Sequence, residues 1–533
     1  MIFKNVYLPV IPIFNESVPT NRDSIFLEPI VPAEVSNTIE QLKNSSNLSD
    51  IPTKFLKMIS SHLETLLSNL FNECLSLGIY PNSFKTALVQ PRYKSGSRKS
   101  ILNYRPISIL PVLGKVFERL IFKRLYNFVT NSGIISPNQF GFIKNKSTSQ
   151  ANLKLIHTCL PALNKETYTL SVFLDFSKAF ECVNHKILLD KMYRYGIRGN
   201  SNSLIKSYLS NRRQRVKIDD ILSDEVGIDV GVPQGSCNGP LFYLLYANDL
   251  NRILDGVSTV MFADDTVVSI SGTNINEIVQ KMNDALNRIF QWCCFNKLTI
   301  NSGKSKAIFF GLPRNFCPPL VLINGTQIKY FDDIKYLGIF IDRRLTFNKQ
   351  ISHIETNLLK YKGIAWNISH KLDLSSAKNF YFSYVYSLIT YGATVWGGKV
   401  LNSACTRTKQ LWHANFLNLF SRHFPGESVK EICRHLNILN IEDSIVFTCA
   451  SECYKFKSRG LFEFFHLSKP QPNNYVLRNN RDLLVPLPKS NADLFNYEYN
   501  LSKVWNDVPE AIRNKTTLSG FKTKFKELLI ANY

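Results

Sequence analysis

An α+β fold, with an antiparallel sheet packed against helices, is what this sequence predicts, and three observations predict it. Strand-like and helix-like stretches follow one another without the regular strand-helix-strand repeat of a parallel sheet. Apolar residues recur at helical spacing through long segments such as 59–77 and 275–289. Other runs, rich in β-branched residues, alternate in period two or meet across short turns, as at 260–270.

Bulk properties narrow the class. A chain of 533 residues exceeds one ordinary core and divides into about three units. The 64 Lys and Arg against 41 Asp and Glu leave +23, spread along the chain, which points to an extended anionic partner. Nucleic acid leads, ahead of an anionic membrane surface. Eleven scattered cysteines imply free thiols in a reducing compartment. Cys449, Cys453 and His466 lack the second close pair of a zinc site. The start, MIFKNVYLPVIPIF, is broken by Pro9 and Pro12 and lacks the cleavage site of a signal peptide. No apolar run has the length of a membrane span. The expectation is an intracellular protein, of nucleus and cytoplasm, and not a secreted one. A phosphate-binding loop at Gly398-Lys399 is excluded, because Ala393 stands where its first glycine belongs.

Taken in order, residues 1–50 form a Pro-, Asn- and Ser-rich lead-in with one short helix at 35–42. Ile59, Leu63, Leu66, Leu67, Leu70, Cys74 and Leu77 share a helical face that Gly78 stops. The strand-like TALVQPRY, the basic turn KSGSRKS and NYRPISIL precede a helix at 115–129. In TLSVFLDFSKAF, Leu170, Val172 and Leu174 point one way and Ser171, Phe173 and Asp175 the other. From Phe180 through Val183, Ile187 and Leu188 the spacing turns helical as far as Gly196. Asp175 thus ends a buried strand, a usual place to meet a ligand. A basic helix and strand (SYLSNRRQRVKI) lead to GVPQGSCNGPLFYLLYANDL, a loop entering an apolar helix. A hairpin at 260–270, the long helix, the polar turn NSGKSK, the strand AIFF and the strand pair IKYLGIFID follow. Beyond about residue 345 the pattern is mainly helical. This order implies a sheet covered on one face by helices, with Asp175 beside the hairpin turn.

That hairpin turn, in VMFADDTVVSI, reads as Asp264-Asp265, where Asn-Gly or Asp-Gly is usual. Two adjacent carboxylates repel, and each raises the other's pKa unless a cation neutralises both. Pairs at Asp219-Asp220 and Asp332-Asp333 show that adjacency alone proves little. With Asp175 beside them, three carboxylates would meet in a basic protein. Such a set suits Mg²⁺, which takes a few carboxylates plus substrate phosphates. Two such ions can clamp an in-line phosphoryl transfer.

The ordered set NYRPIS, FLDFSKAFECVNH, GVPQGS, FADDT, LTINSGKSK and YLGIFID resembles the reverse transcriptase of jockey-like non-LTR (LINE-type) retrotransposons. The match is strong over about 50–345 and weaker to the C-terminus, at LSKVWNDVP and FKTKFKELL. The resemblance implies a right-hand polymerase: a lead-in at 1–50, fingers and an antiparallel-sheet palm at 51–342, and a helical thumb at 343–424. A mainly helical C-terminal region of unknown role fills 425–533.

By position, the resemblance makes Asp175, Asp264 and Asp265 the ligands of two Mg²⁺ ions, with Mn²⁺ as a substitute. Lys94 and Arg105 would hold the incoming triphosphate, Phe180 would exclude a 2′-hydroxyl, and Gln234-Gly235 would pack against nucleotide and template. Lys304 would protonate the leaving pyrophosphate, and Tyr336-Leu337-Gly338 would grip the primer. His185 reads as structural, satisfying a helix start. Each of these also has a plain reading as core, turn or surface, and their joint order is what favours function.

The implied activity is that of an RNA-directed DNA polymerase, a nucleotidyltransferase. Its partners would be an RNA template, a DNA primer or target DNA, and dNTPs, without a membrane. Cys237-Asn238 replaces the family's usual apolar pair, and LKNSSNLSDIP lacks its Gly-Asp element. With about 50 residues before the fingers, the expectation is a polymerase piece whose endonuclease is supplied separately or lost by truncation. The alternatives are an inactive polymerase-derived RNA-binding protein and, further off, a maturase.

Overall fold

The computed structural model describes residues 18–44, 51–164, 167–312, 316–403, 405–467, 482–487 and 496–533. The leader reading at Pro9 and Pro12, and much of the LKNSSNLSDIP segment, lie outside these residues.

Helices α1 (Pro32–Glu40) and α2 (Ser60–Leu77) begin the described chain. Pro32 at the first helical position starts α1 three residues before the expected point. Gly78 ends α2 in the left-handed conformation, φ +66°. Strands β1 (Thr86–Tyr93) and β2 (Tyr104–Ile109) form an antiparallel hairpin with Arg92 opposite Arg105. Helix α3 (Val112–Asn131) is longer than expected at both ends. Helix α4 (Thr148–Cys159), capped by Ser147, precedes β3 (Tyr168–Leu174) and the two-residue β4 (Phe176–Ser177).

The helix after Asp175 starts later than its spacing implied. Residues 178–182 are turns, and α5 runs His185–Arg194. Its cap is Asn184, which accepts from the Ile187 N–H. His185 is structural by another route: its Nε2 lies 2.7 Å from the Gly231 carbonyl and ties α5 to the loop before Pro233. After α6 (Gly199–Leu209), the basic β5 (Arg212–Ile218) pairs in parallel with β1, and β6 (Ile221–Leu222) and β7 (Val226–Ile228) flank it. Asp219-Asp220 forms the β5–β6 turn and is a solvated pair.

Helix α7 (Asn238–Ala247) is buried on every side. Next come β8 (Ser258–Phe262), β9 (Asp265–Gly272), α8 (Ile275–Phe295), β10 (Thr299–Ile300) and β11 (Lys306–Phe310). Strands β12 (Val321–Ile323), β13 (Thr326–Tyr330), β14 (Asp333–Tyr336) and β15 (Ile339–Asp342) complete the sheets. The central sheet has order β12-β13-β11-β3-β9-β8, antiparallel except for β11 with β13.

The alternation expected along β3 holds. Leu170, Val172 and Leu174 join one core, with α8, α7 and α3, while Phe173 joins a second with α4. The sheet is therefore covered on both faces, which corrects the one-sided reading. The hydroxyls of Ser171 and Ser269, 2.7 Å apart, and of Thr169 and Ser271, 2.8 Å apart, pair across β3 and β9. They make those residues look like solvent-facing positions in the sequence, yet Ser171, Thr169 and Ser269 are buried.

The second core continues through α9 (Asn348–Ile368), α10 (Ala393–Leu401) and α11 (Thr406–Phe420) into α12 (Ile441–Ser458), α13 (Tyr497–Asp507) and α14 (Leu518–Ala531). Polar contacts fasten this region to α4: Gln150 donates to Glu452 at 3.0 Å, and the His157 ring stacks on His466 while lying 2.8 Å from Glu498. Cys449 and Cys453 are buried thiols directed at the Ala393 and Leu501 carbonyls.

Candidate active site

Register brings the acids together. In β3 and β9, Leu174 lies opposite Thr266, so the next antiparallel step sets Asp175 against Asp265. The hairpin differs from the expected one in its turn. Phe262 pairs with Asp265, so the central residues are Ala263 and Asp264, and Asp265 opens β9. Ala263 takes the positive φ, +56°, where a hairpin usually places Gly. This frees Asp265 from the turn and leaves Asp264 at its tip, so the two acids no longer need one shared turn conformation.

Asp175 is held by its backbone. Its N–H donates to the Ser305 hydroxyl at 3.2 Å, and its carbonyl accepts from the Asn301 N–H at 2.8 Å. The turn that carries Lys304 is thereby attached to the acid: the Lys304 N–H returns to the Asn301 carbonyl at 3.1 Å. The Lys304 side chain is exposed.

The electrostatics are those of a crowded anionic cleft. Removal from water is the largest cause raising the Asp264 pKa; Asp175 raises it further, and Lys94 and Arg105 oppose. Asp265 is pushed up to about 6 by loss of water, then by Asp264 and Asp175, with Lys94 opposing. The residue as a whole is nonetheless exposed. Among the described residues none of the three aspartates makes an ion pair. Lys94 and Arg105 reach the site from the β1–β2 hairpin, where the Lys94 N–H donates to the Asn103 carbonyl.

Phe180 lies half-buried between Tyr243 and Phe142, its ring centroid 4.6 Å from the first and 6.2 Å from the second. Tyr243 itself feels the charge of Asp264 and then Asp265. The Gln234 carbonyl accepts from the Ser108 N–H at 2.7 Å, and its amide donates to Glu181 at 3.0 Å. Gly235 has φ +125°, and a Cβ there would come 2.6 Å from the Ser108 carbonyl, so no side chain fits between loop and β2.

Tyr336, Leu337 and Gly338 separate in role. Tyr336 is buried with its ring edge-on to Phe173 and close enough to Asp265 to feel its charge. Leu337 and Gly338, both at positive φ, form the tip of the β14–β15 hairpin. Tyr391 donates to the Leu337 carbonyl at 2.7 Å and covers Gly338.

The acids do not form a ready-made metal cage. Among the described residues no group of three or more His, Cys, Asp or Glu is arranged to hold an ion unaided. The donor set still fits a divalent cation whose remaining ligands come from substrate, since its raised pKa values are what a positive charge would relieve.

Sequence reasoning passed over several residues that build this site. Glu118, fully buried on α3, accepts from the Tyr208 hydroxyl at 2.7 Å and from the Cys237 N–H at 2.9 Å, fixing the end of the GVPQGS loop. Its signal was an acid on the apolar stripe of Val116, Phe117, Leu120, Ile121 and Leu125. The same contact absorbs the Cys237-Asn238 departure, since Glu118 binds backbone there and Asn238 is buried. Gln139 and Gly141, in NQFGF, lie against the acid hairpin. Their signal was a lone glycine between two phenylalanines.

The family model described as reverse transcriptase (RNA-dependent DNA polymerase) matches residues 94–341. The probable RNA-directed DNA polymerase from transposon X-element of Drosophila melanogaster is 33% identical over 381 residues, 70% of this chain and 42% of that protein. The RNA-directed DNA polymerase from mobile element jockey of the same organism is 30% identical over 387 residues, again 70% and 42%. A Pol polyprotein from type-1 retrotransposable element R1 of Bradysia coprophila is 26% identical over 374 residues, 68% and 37%. The chain thus matches about two fifths of the length of these relatives. Among the described residues no helix is long and apolar enough to cross a membrane.

Proposed function

Over residues 94–341 the chain belongs to the reverse transcriptase family, related to the polymerases of the jockey and X-element non-LTR retrotransposons, and on that premise we propose how it acts. It adds deoxynucleotides to a primer 3′-hydroxyl on an RNA template. The observation that carries this is that Asp175 and Asp265 flank the Leu174–Thr266 pair, with the charges of Asp175, Asp264 and Asp265 acting on one another and Lys94 and Arg105 opposing at Asp264.

In this reading the β1–β2 hairpin is part of the fingers and the central sheet is the palm. The helices after Asp342 are the thumb, with 425–533 docked behind the palm. Asp175, Asp264 and Asp265 hold Mg²⁺, or Mn²⁺ in its place. When bound, the divalent ions supply Lewis-acid activation of the attacking hydroxyl and neutralise charge on the leaving pyrophosphate. Arg105 takes the triphosphate with a guanidinium fork and Lys94 as a point charge. Phe180 closes the space that a 2′-hydroxyl would need. Gln234-Gly235 sets the floor under nucleotide and template. Lys304, exposed on the turn fastened to Asp175, gives its proton to the departing pyrophosphate. Leu337 and Gly338 meet the primer end, and Tyr336 supports them from the core.

The test is incorporation of dNTP on an RNA template with a DNA primer and Mg²⁺. Asp264→Ala should abolish it while leaving salt-sensitive RNA binding in place. RNA binding by the unaltered chain with no incorporation would instead mark it as an inactive, polymerase-derived RNA-binding protein.

A further inference from the structure

We propose that Gln139 is a positioning residue for the catalytic acids, holding the Ala263-Asp264 turn from behind through its side-chain amide. The inference rests on the polymerase reading above and adds to it a residue that touches no substrate.

Gln139 forms an isolated parallel bridge to Met261 of β8. The Met261 N–H donates to the Asn138 carbonyl at 2.9 Å, and the Phe140 N–H donates to the Met261 carbonyl at 2.8 Å. This pairing stops at the turn, where a side chain takes over. Gln139 Oε1 accepts from the Ala263 N–H at 3.0 Å and from the Gly141 N–H at 2.9 Å. Gln139 is 3% exposed, so neither N–H has water as an equal substitute.

What it holds needs holding. Ala263 sits at φ +56°, a conformation that an L residue with a Cβ rarely adopts. Released, the turn would relax toward negative φ and carry Asp264 with it. Gly141 packs against the same peptide: a Cβ there would lie 2.4 Å from the Ala263 nitrogen. The turn is therefore held by an acceptor and packed against a backbone that leaves no room for a side chain.

The clamp is anchored in its turn. Lys146 Nζ donates to the Pro137 and Gln139 carbonyls, each at 2.7 Å, and lies 4.8 Å from the Phe140 ring centroid. Arg459, from the C-terminal region, donates to the carbonyl and side chain of Asn145 at 2.7 and 3.0 Å. Phe464 stands 6.3 Å from Phe140. This gives the C-terminal region a route to the acids through a named chain of contacts.

Gln139→Met removes the acceptor at nearly constant volume, and Gln139→Glu restores an oxygen in its place. Amide hydrogen exchange across 262–265 reads the brace directly, without reference to activity. In Gln139→Met exchange at Ala263 should rise at least about tenfold, the loss expected for one buried acceptor. The rate at saturating dNTP should fall by a similar factor while KM for dNTP holds, and half-saturating Mg²⁺ should rise. Gln139→Glu should recover protection at Ala263. Should Gln139→Met fail to fold, Lys146→Met, which loosens the loop from outside, should shift the same readings in the same direction to a smaller extent. Unchanged exchange at Ala263 in the folded Met variant, or equal loss in the Glu and Met variants, overturns the proposal. Absence of incorporation by the unaltered chain would count against the polymerase reading alone, because exchange still tests the brace.

Discussion

The ring of Phe180 lies on that of Tyr243, centroids 4.6 Å apart and 27° from parallel, while Phe142 meets its edge. Tyr243 is 1% exposed, so Phe180 rests on an immovable floor. A gate against a 2′-hydroxyl has to be stiff to discriminate. Phe180→Val should therefore raise ribonucleotide use relative to deoxynucleotide by about tenfold or more, the range for one changed contact in a fitted pocket. Steady-state incorporation of each nucleotide type on one template measures it. Equal discrimination in both proteins would remove Phe180 from its assigned role.

Glu118 is expected to matter for the same pocket from a distance. Its carboxylate is raised in pKa by burial, with the Tyr208 hydroxyl and the Cys237 N–H opposing. Truncation to Ala strands both donors and leaves the buried Arg212 without that charge nearby, so a loss of about 3–5 kcal/mol in stability is expected. Glu118→Gln keeps one acceptor and should lose less. Thermal unfolding reports the first effect, and a raised KM for dNTP in Glu118→Gln reports slackening of the Gln234-Gly235 loop.

Much of this site was legible from sequence, for identifiable reasons. Period-two alternation along 170–175 assigned faces correctly because each face of the sheet is buried in its own core. The hairpin was found, but its turn was misplaced by one residue. Local rules price Ala at positive φ as unfavourable, and only Gln139, 124 positions earlier in the chain, offsets that cost. Covering of the second sheet face was hidden by Ser171, Ser269 and Thr169, whose hydroxyls satisfy one another in pairs that no single strand reveals. The motif marked Tyr336 for the primer-grip hairpin but could not show its burial against Phe173, which depends on tertiary packing.

The buried pair Lys191 and Asp249, 2.6 Å apart and both almost wholly enclosed, joins α5 to the turn after α7. Burial lowers the Lys191 pKa, and Asp249 opposes. Lys191 Nζ also donates to the Tyr246 carbonyl at 2.6 Å and lies 5.3 Å from the Trp292 ring centroid. Removing one partner by Lys191→Met should destabilise by about 3–5 kcal/mol, because the remaining carboxylate stays buried. The double variant Lys191→Met with Asp249→Leu should recover a substantial part of that loss. A denaturant melt of the three proteins separates the outcomes, and additive losses would show that the two charges do not act as a pair.

The last expectation concerns pH, and it follows from Asp265. Its pKa in the folded chain is about 6 against an ordinary 3.8, so the folded state binds its proton more tightly than the unfolded state does. The stabilisation linked to that proton is complete below about pH 4 and is lost as pH rises through 6. In metal-free buffer, Asp265→Asn should therefore melt no higher than the unaltered chain at pH 4. At pH 7 it should melt higher, with a gain of about 1 kcal/mol once solvent screening of this open carboxylate is allowed for. Adding Mg²⁺ should shrink or reverse the difference, since the cation stabilises only the protein that keeps the acid. Melting curves at the two pH values, with and without Mg²⁺, supply all four numbers. A variant less stable than its parent at pH 7 without metal would mean that Asp265 is not repelled by Asp264 and Asp175, and the crowded-cleft account of the site would fail with it.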